Sequence, residues 1–345
     1  MMRSPIGSRP WVGLDLGTYS VKVVAAYGAV GGPRYRAVES PLPGADDQAE
    51  RPPADITAQV LSHALEGLGL SPRSARGVSI GVSGAGVIVK QISLPLLDES
   101  EVGPALRFEA RKHLPFDPQT MVIDFQVLGR YPSERKVDIL LAAVPREHLE
   151  RHLKPLGLLG IEPEVVDATP LALANAVGKD PDLGDDASVL LDLGNQSSHL
   201  TIYQRGQPFF ARRFDFGGQH LTRAIASDGR IPMEEAEEWK LAVGGEHAGL
   251  RVDWEAPEFQ SIQEALRRDL VDEVLRSFAF YRTQAHLPML PRLWLSGGSA
   301  RLPGMPQRLS EMLNVPVLLF DPLDGDGDVG GPQFAQAYGL TLRGS

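Results

Sequence analysis

The chain has 345 residues, 43% hydrophobic and 23% charged, which is the composition of a folded protein with room for about two cores of 100 to 200 residues each. Its 34 Lys and Arg against 44 Asp and Glu leave a net charge of -10, a surface that repels polyanions and excludes non-specific nucleic-acid binding. The absence of cysteine excludes disulfides, thiolate metal sites and a cysteine nucleophile; with no apolar leader in MMRSPIGSRP and no run of about 18 apolar residues, the expected location is the cytoplasm.

The stretch GLDLGTYSVKVV, residues 13–24, reads as a strand broken by Asp15 and Gly17. It continues as SVKVVAAY and returns through Gly31 and Gly32 as PRYRAVES, an antiparallel hairpin. After a proline-rich loop, Asp55 is placed to cap a helix over 56–68, whose Ile56, Val60, Leu61, Ala64, Leu65 and Leu68 share one face. GVSIGVSG is the next strand. From Asp98, Val102, Leu106, Ala110 and Leu114 recur every four residues in a helix that Pro115 stops. MVIDFQVLG and KVDILLAAVP are strands and REHLERHLKPLGL is a helix, so a small α/β unit of about residues 95–162 is inserted here. His148 and His152 stand one turn apart in that helix; without a metallohydrolase motif beside them they read as a solvated face.

The second half opens with ASVLLDLGNQSSHLTIYQRGQPFFARRFDFGG, in which Leu191-Asp192-Leu193-Gly194 repeats Leu14-Asp15-Leu16-Gly17 at an offset of 177 residues. Each copy is strand, Asp-Leu-Gly bend, strand, turn, strand, an internal repeat of supersecondary structure. Two short helices follow, GQHLTRAIASDG and PMEEAEEWKLAV, the latter with Pro232 in its first turn. A long helix is expected over 259–283, with Ile262, Leu266, Leu270, Val274, Phe278 and Tyr281 as a core stripe. The chain closes with strand RLWLSGG, a helix around QRLSEML, strand VPVLLF, an acidic loop and helix QFAQAYGLTLR. The loop opens like a calcium loop, but Val329 and Ala335 replace the Gly and Glu that such a loop needs, so it reads as solvated acid.

A bend of the Asp-x-Gly type turns successive backbone N–H groups and short hydroxyls into one concavity, which suits a phosphate. Thr18 and Ser20 supply hydroxyls in the first copy, Ser197 and Ser198 in the second. Lys22 adds positive charge, and Asp15 and Asp192 are placed to hold waters on a Mg²⁺ ion. Two such bends in similar halves can clamp one phosphate chain from opposite sides. A third element, LWLSGGSARLPGMPQRL, is a strand running into Gly297-Gly298, where missing side chains let a flat ring lie on the backbone.

This ordered set resembles the actin-like ATPase superfamily of actin, sugar kinases and heat-shock chaperones. Within it, LRFEARKHLPFD, VIDFQVL, VVDATPLALANAV, FDFGGQHLT, EEAEEWK and EVLRSFAFYR resemble the PilM-type pilus assembly proteins over nearly the whole chain. The resemblance implies an α/β fold of two lobes, each a mixed-sheet core with a smaller subdomain, and ATP with Mg²⁺ between them. The first core is implied over 10–95, completed by 325–345, with an inserted subdomain over 96–162. The second core is implied over 163–215, completed by 290–322, with a mostly helical subdomain over 216–289. The first phosphate motif then falls on Asp15, Gly17, Thr18, Tyr19, Ser20 and Lys22, and the second on Asp192, Gly194, Asn195, Gln196 and Ser197. The adenosine loop falls on Gly297, Gly298 and Ser299, with Glu237 and Lys240 bordering ribose and adenine; Asp15, Asp192 and Asp167 are the carboxylates implied for magnesium or water.

Two positions depart from the pattern. Tyr19 stands where the family usually has a small residue, and Thr169, two after Asp167, where it usually has a Glu that orients the attacking water. Hydrolysis is therefore expected to be slow or absent. The implied role is a cytoplasmic scaffold, recruited to the inner face of the inner membrane, that holds the N-terminal tail of a PilN-type membrane protein in a groove around Leu114, Phe116 and Phe125. Lobe closure on nucleotide would tune that grip. The same resemblance admits the cytoplasmic module of a type II secretion system, or a small-molecule kinase; a kinase needs an acid as base between the phosphate motifs, and Asp124 and Asp138, which lie in that interval, read as ordinary outward residues of strands. An FtsA-like filament would carry a C-terminal amphipathic helix, which is not expected just past Leu342.

Overall fold

Two hairpins that each end in an Asp-Leu-Gly bend seed the two sheets of the molecule. The structure, a computed structural model, describes residues 9–28, 32–43, 52–178, 187–204, 207–244, 259–285, 292–323 and 330–343. In chain order, strands β1 (Trp11–Leu16), β2 (Ser20–Tyr27) and β3 (Arg34–Pro41) are followed by helix α1 (Ala54–Gly67). Pro53 occupies the position before α1, and its carbonyl accepts from Thr57 N–H at 3.0 Å. Asp55 is thus inside the first turn, not at the cap, because the fixed φ of Pro53 starts the helix earlier. Strands β4 (Gly77–Val82) and β5 (Ile88–Pro95) lead to α2 (Glu99–His113), where Glu101 Oε2 accepts from Asp98 N–H at 3.0 Å. Strands β6 (Met121–Tyr131) and β7 (Lys136–Pro145), helix α3 (Arg146–Leu158), β8 (Val165–Ala168) and α4 (Thr169–Val177) complete the first half.

The second half repeats the opening with β9 (Ser188–Leu193), β10 (Ser198–Gln204) and β11 (Gln207–Phe214). Helices α5 (Gly218–Gly229) and α6 (Met233–Gly244) follow; Pro232 stands just before α6, and its carbonyl accepts from Ala236 N–H at 3.0 Å. The long helix expected over 259–283 is α7 (Gln260–Ala265) and α8 (Asp272–Ala285), joined by a π turn over Leu266–Val271. Then come β12 (Leu293–Ser296), α9 (Met305–Leu313), β13 (Val317–Leu319) and α10 (Ala335–Thr341). The acidic loop over 324–329 lies outside the described residues.

The five-stranded sheet runs β3-β2-β1-β4-β8, and the eight-stranded sheet runs β13-β12-β9-β10-β11-β5-β7-β6. Read outward from the bend-bearing strands, both have the same plan: an antiparallel meander on one side of β1 or β9 and two parallel strands on the other. The repeat in sequence is therefore a repeat in topology. Val12, Leu14, Val23, Leu61, Leu65 and Ile80 form the first core, and Leu156 and Ile161, from α3 and the turn after it, complete it. A second core gathers Val189, Leu191, Leu200, Phe214, Leu295 and Leu309 with the whole stripe from Ile262 to Tyr281. β5, β6, β7 and α2 close around a small core of their own, including Ile92, Leu106, Leu114 and Ile139. That sheet hangs on the second lobe by one residue pair, Phe210 with Lys90, and by Gln91 Nε2 donating to Pro208 O at 3.0 Å. α4 and α10 lie between the two large sheets, α4 on Leu190, Tyr203 and Trp294, α10 on Val24 and Ala37. Among the described residues no helix is long and apolar enough to cross a membrane.

Candidate functional site

Both bends have the same register: Asp15 stands opposite Lys22 across the first hairpin, and Asp192 opposite His199 across the second. Gly17 N–H donates back to Ser20 O at 3.1 Å, drawing the turn tight. A Cβ on Gly17 would lie 2.9 Å from Ser20 O, and one on Gly194 would lie 2.5 Å from Ser197 O, so both turns close only around glycine. The bends meet across the lobes. Asn195 Nδ2 lies 3.5 Å from Thr18 Oγ1, and these are equivalent residues, 177 positions apart, so the contact falls on the pseudo-twofold relation between the halves.

Charge is concentrated at the floor. Lys22 Nζ lies 3.4 Å from Asp15 Oδ2, while Gln336 Nε2 from α10 donates to Asp15 Oδ1 at 3.1 Å. Burial alone would lower the Lys22 ammonium, but Asp15, Glu39 and Asp192 outweigh it and hold the pKa above its ordinary value. Asp192 accepts from Ser296 Oγ at 2.8 Å. Even so, burial, reinforced by the Asp15 charge, pushes its carboxyl up to about 6 against the opposing effects of Ser296 and Lys22. A buried carboxylate so poorly compensated is what a hydrated divalent cation relieves, and two hard oxygen donors suit Mg²⁺ through water. Among the described residues no three His, Cys, Asp or Glu gather to ligate an ion directly. His199, by contrast, is buried beside Arg213, and both effects push its pKa down to about 4.

The far wall comes from the second lobe. Lys240 Nζ donates to Gly218 O at 3.1 Å and Thr222 Oγ1 at 2.8 Å and pairs with Glu237 Oε2 at 2.7 Å, one helical turn away on α6. Burial lowers the Lys240 pKa although Glu237 opposes it. Ser299 Oγ donates to Gly194 O at 2.9 Å, fastening the Gly-Gly loop to the second bend. Gly297 sits at φ 92°, where a Cβ would lie 2.3 Å from Leu193 O, so the strand-to-turn corner needs glycine. Arg301, just beyond, reaches across the mouth to Glu39 Oε2 at 3.5 Å, and Glu39 Oε1 accepts from Ser20 Oγ at 2.7 Å. The Tyr19 phenol has its pKa raised by burial and by Glu237 and Glu39, which places it among the charges at the mouth.

A cavity of about 170 Å³ is lined by both bends, by Glu237 and Lys240, and by Gly297, Gly298 and Ser299, but not by Ser198: that expectation is corrected, because Ser198 starts β10 facing inward and its buried hydroxyl donates to Phe216 O at 2.7 Å. Glu39, Arg301, Gln333 and Gln336 line it too and were not foreseen. Gln336 lies 321 positions from the Asp15 it holds, and no local motif marks it; Ser296, which holds Asp192, was not foreseen either, although its place as the last strand residue before Gly297-Gly298 is a signal that marks it. Asp167 stands apart. It is buried at the end of β8 and paired with Arg343 Nε at 3.1 Å, and it does not line the cavity. Nor does Thr169, whose hydroxyl donates to Val82 O at 3.2 Å. Asp124 is exposed on β6 and Asp138 accepts from Ser93 Oγ at 2.6 Å, both in the inserted unit and outside the cavity lining.

Of the groove residues, Leu114 is buried in the small core and Phe125 packs against it, while Phe116 is 47% exposed near Gly86 and Pro145. The expectation for His148 and His152 is corrected: they are not on a solvated face. His152 is 1% exposed with Nε2 donating to Gly81 O at 2.7 Å, and His148 Nε2 donates to Ser83 O at 2.8 Å, because α3 packs across the end of β4.

The family model described as type IV pilus assembly protein PilM matches residues 13–329. A solved PilM-PilN type IV pilus biogenesis complex is 26% identical, with a TM-score of 0.80 over 99% of both chains. The ethanolamine utilization protein EutJ of Salmonella typhimurium is 26% identical over 148 residues, 42% of this chain and 43% of that relative, so the match spans less than half its length. MreB 5 of Spiroplasma citri, solved bound to AMPPNP, is 15% identical with a TM-score of 0.52 over 97% of this chain and 96% of that one, which shows a shared fold. The fold is the actin-like ATPase fold, and the chain belongs to the PilM family of type IV pilus assembly proteins.

Proposed function

We propose that the cleft between the bends binds ATP with Mg²⁺ and that the protein uses the bound nucleotide to set the angle between its lobes. The observation that carries this is the meeting of equivalent residues, Thr18 and Asn195, over a floor that holds Asp15, Asp192 and Lys22. The backbone of the two bends and the hydroxyls of Thr18 and Ser197 would bind the phosphates, Lys22 would pair with their charge, and Glu237 and Lys240 would flank the ribose. Bound Mg²⁺ would neutralise phosphate charge, with Asp15 and Asp192 orienting its waters. The volume, about 170 Å³, is below the range of about 300 to 1,000 Å³ usual for ligand pockets, so the lobes would part to admit a nucleotide.

Slow turnover follows from how the lining carboxylates are occupied. Asp15 is held by Lys22 and Gln336, Asp192 by Ser296, Glu39 by Ser20 and Arg301, and Glu237 by Thr222 and Lys240. Asp15, Glu39 and Glu237 are each paired with a cation, and Asp192, which Ser296 alone holds, is assigned here to the waters of Mg²⁺, so this reading leaves no lining carboxylate as general base for an attacking water. We expect a turnover below about 1 per second, under the range of ordinary enzymes, in a phosphate-release assay. A rate within that range would refute the slow half of the proposal.

The likeness to a PilM-PilN complex supports a tail of a PilN-type inner-membrane protein as partner, and with it a cytoplasmic position at the inner face of that membrane. The seam between the first core and the inserted unit, where Phe116 meets Gly86 and Pro145, is the place we assign to it. A short tail there would add main-chain hydrogen bonds and bury a few apolar side chains. Titration of a synthetic tail should show binding that Phe116→Ala weakens and ATP changes by at least threefold. No binding with or without ATP would end this assignment.

A further inference from the structure

A second cavity, of about 690 Å³, adjoins the phosphate end of the cleft. One wall is Thr18, Gln196 and Ser197, the bend residues themselves. None of the ribose and adenine side, Glu237, Lys240 or the Gly-Gly loop, reaches it. The opposite wall is one face of α3, where His148, Arg151, His152 and Pro155 follow one another at helical spacing, with Lys154 beside them. Arg213 of β11 closes the end, and its Nε–H is buried with no hydrogen-bond partner, although its terminal nitrogen pairs with Asp215. Glu147 is the one acid among these lining residues. The ring nitrogens of His148 and His152 that donate to Ser83 O and Gly81 O fix the orientation of both rings, so this part of the wall is held in place.

A chain with a net charge of -10 that gathers Arg151, Lys154 and Arg213 around one cavity, with Glu147 the one lining acid, has made a local site for an anion. We infer that this cavity binds inorganic phosphate, as a station next to the triphosphate grip with its own donors on α3 and β11. Arg151 supplies a planar fork that matches a phosphate oxygen pair, and Lys154 a mobile point charge; both are exposed enough to swing onto an anion. The volume takes a phosphate together with its water shell. From the nucleotide reading this site takes only one possible source of the phosphate, the γ-phosphate of bound ATP; free phosphate from solution is the other.

The test is calorimetric titration of sodium phosphate into the full chain, alone and saturated with Mg·ADP, at constant ionic strength. One saturable phosphate per chain is expected in both states. The double variant Arg151→Ala/Lys154→Ala, whose side chains are exposed and outside the packed cores, should weaken it about tenfold or more while leaving ADP affinity within twofold. Circular dichroism would confirm that the variant is folded. No saturable phosphate in the wild type, unchanged phosphate affinity in the variant, or displacement of phosphate by ADP would each overturn the site. Failure of ADP to bind would count against the nucleotide cleft instead, and the Arg151→Ala/Lys154→Ala variant would still read the second cavity, because neither residue lines the cleft. Whether ATP hydrolysed on the enzyme fills the site is read by following the γ-phosphorus by NMR in wild type and variant.

Discussion

At the residue scale the two bends test each other. Gly17 and Gly194 hold the same place in the two copies, yet the added Cβ would meet Ser20 O at 2.9 Å and Ser197 O at 2.5 Å. Because backbone must move in both cases, Gly17→Ala and Gly194→Ala should lower stability by roughly 1 to 3 kcal/mol, with Gly194→Ala the larger. Urea denaturation would show it, and unchanged midpoints would mean that the turns are not tight. His199 gives the pH dependence. Its pKa, lowered to about 4, keeps it neutral in the fold, so its contribution is present above about 6.5 and is lost as pH falls toward 4, amounting to roughly 3 kcal/mol. Asp192, raised to about 6, acts in the opposite sense over the same interval. The comparison with His199→Gln is therefore the readout: the variant should lose less stability than wild type between pH 6.5 and 4, and parallel profiles would contradict the assignment. The Asp and Gly of each bend were legible because turn chemistry and repetition mark them. Gln336, Glu39 and Arg301 were not, since each is brought in from a distant element by packing between lobes.

At the element scale the clasp across the mouth is Arg301 with Glu39, at 3.5 Å and with side chains 44% and 21% exposed. A pair this wet contributes at most about 1 kcal/mol to stability, so Arg301→Ala should leave the denaturation midpoint unchanged. If the pair holds the lobes over a bound nucleotide, the same variant should speed dissociation of a fluorescent ADP analogue by about two- to fivefold. An unchanged rate would remove the clasp from the account. The π turn was hidden in plain periodicity. Ile262, Leu266, Leu270, Val274 and Phe278 are spaced by four, which overshoots an α-helical turn by about 40° at each step. The wider turn over Leu266–Val271 takes up that drift and keeps the stripe in one core. β5 was missed because Lys90 and Gln91 interrupt its apolar alternation, and those are the residues that join it to β11 and to Pro208. His148 and His152 misled for a related reason: no sequence pattern tells that α3 lies across the end of β4.

At the scale of the whole molecule, the inserted unit touches both lobes. Its sheet joins the second through one residue pair, while α3, which follows it, is part of the first core through Leu156. Any change of angle between the lobes must act at that seam, which is where the partner tail is proposed to lie. The coupling is reciprocal: whatever factor ATP imposes on tail affinity, the tail must impose on ATP. All of this depends on the two bends forming one nucleotide grip. The direct measurement is calorimetric titration of Mg·ATP into wild type, Asp15→Ala and Asp192→Ala. Saturable one-to-one binding by wild type and at least about tenfold weaker binding by each variant is the predicted result; equal affinity in all three would contradict it.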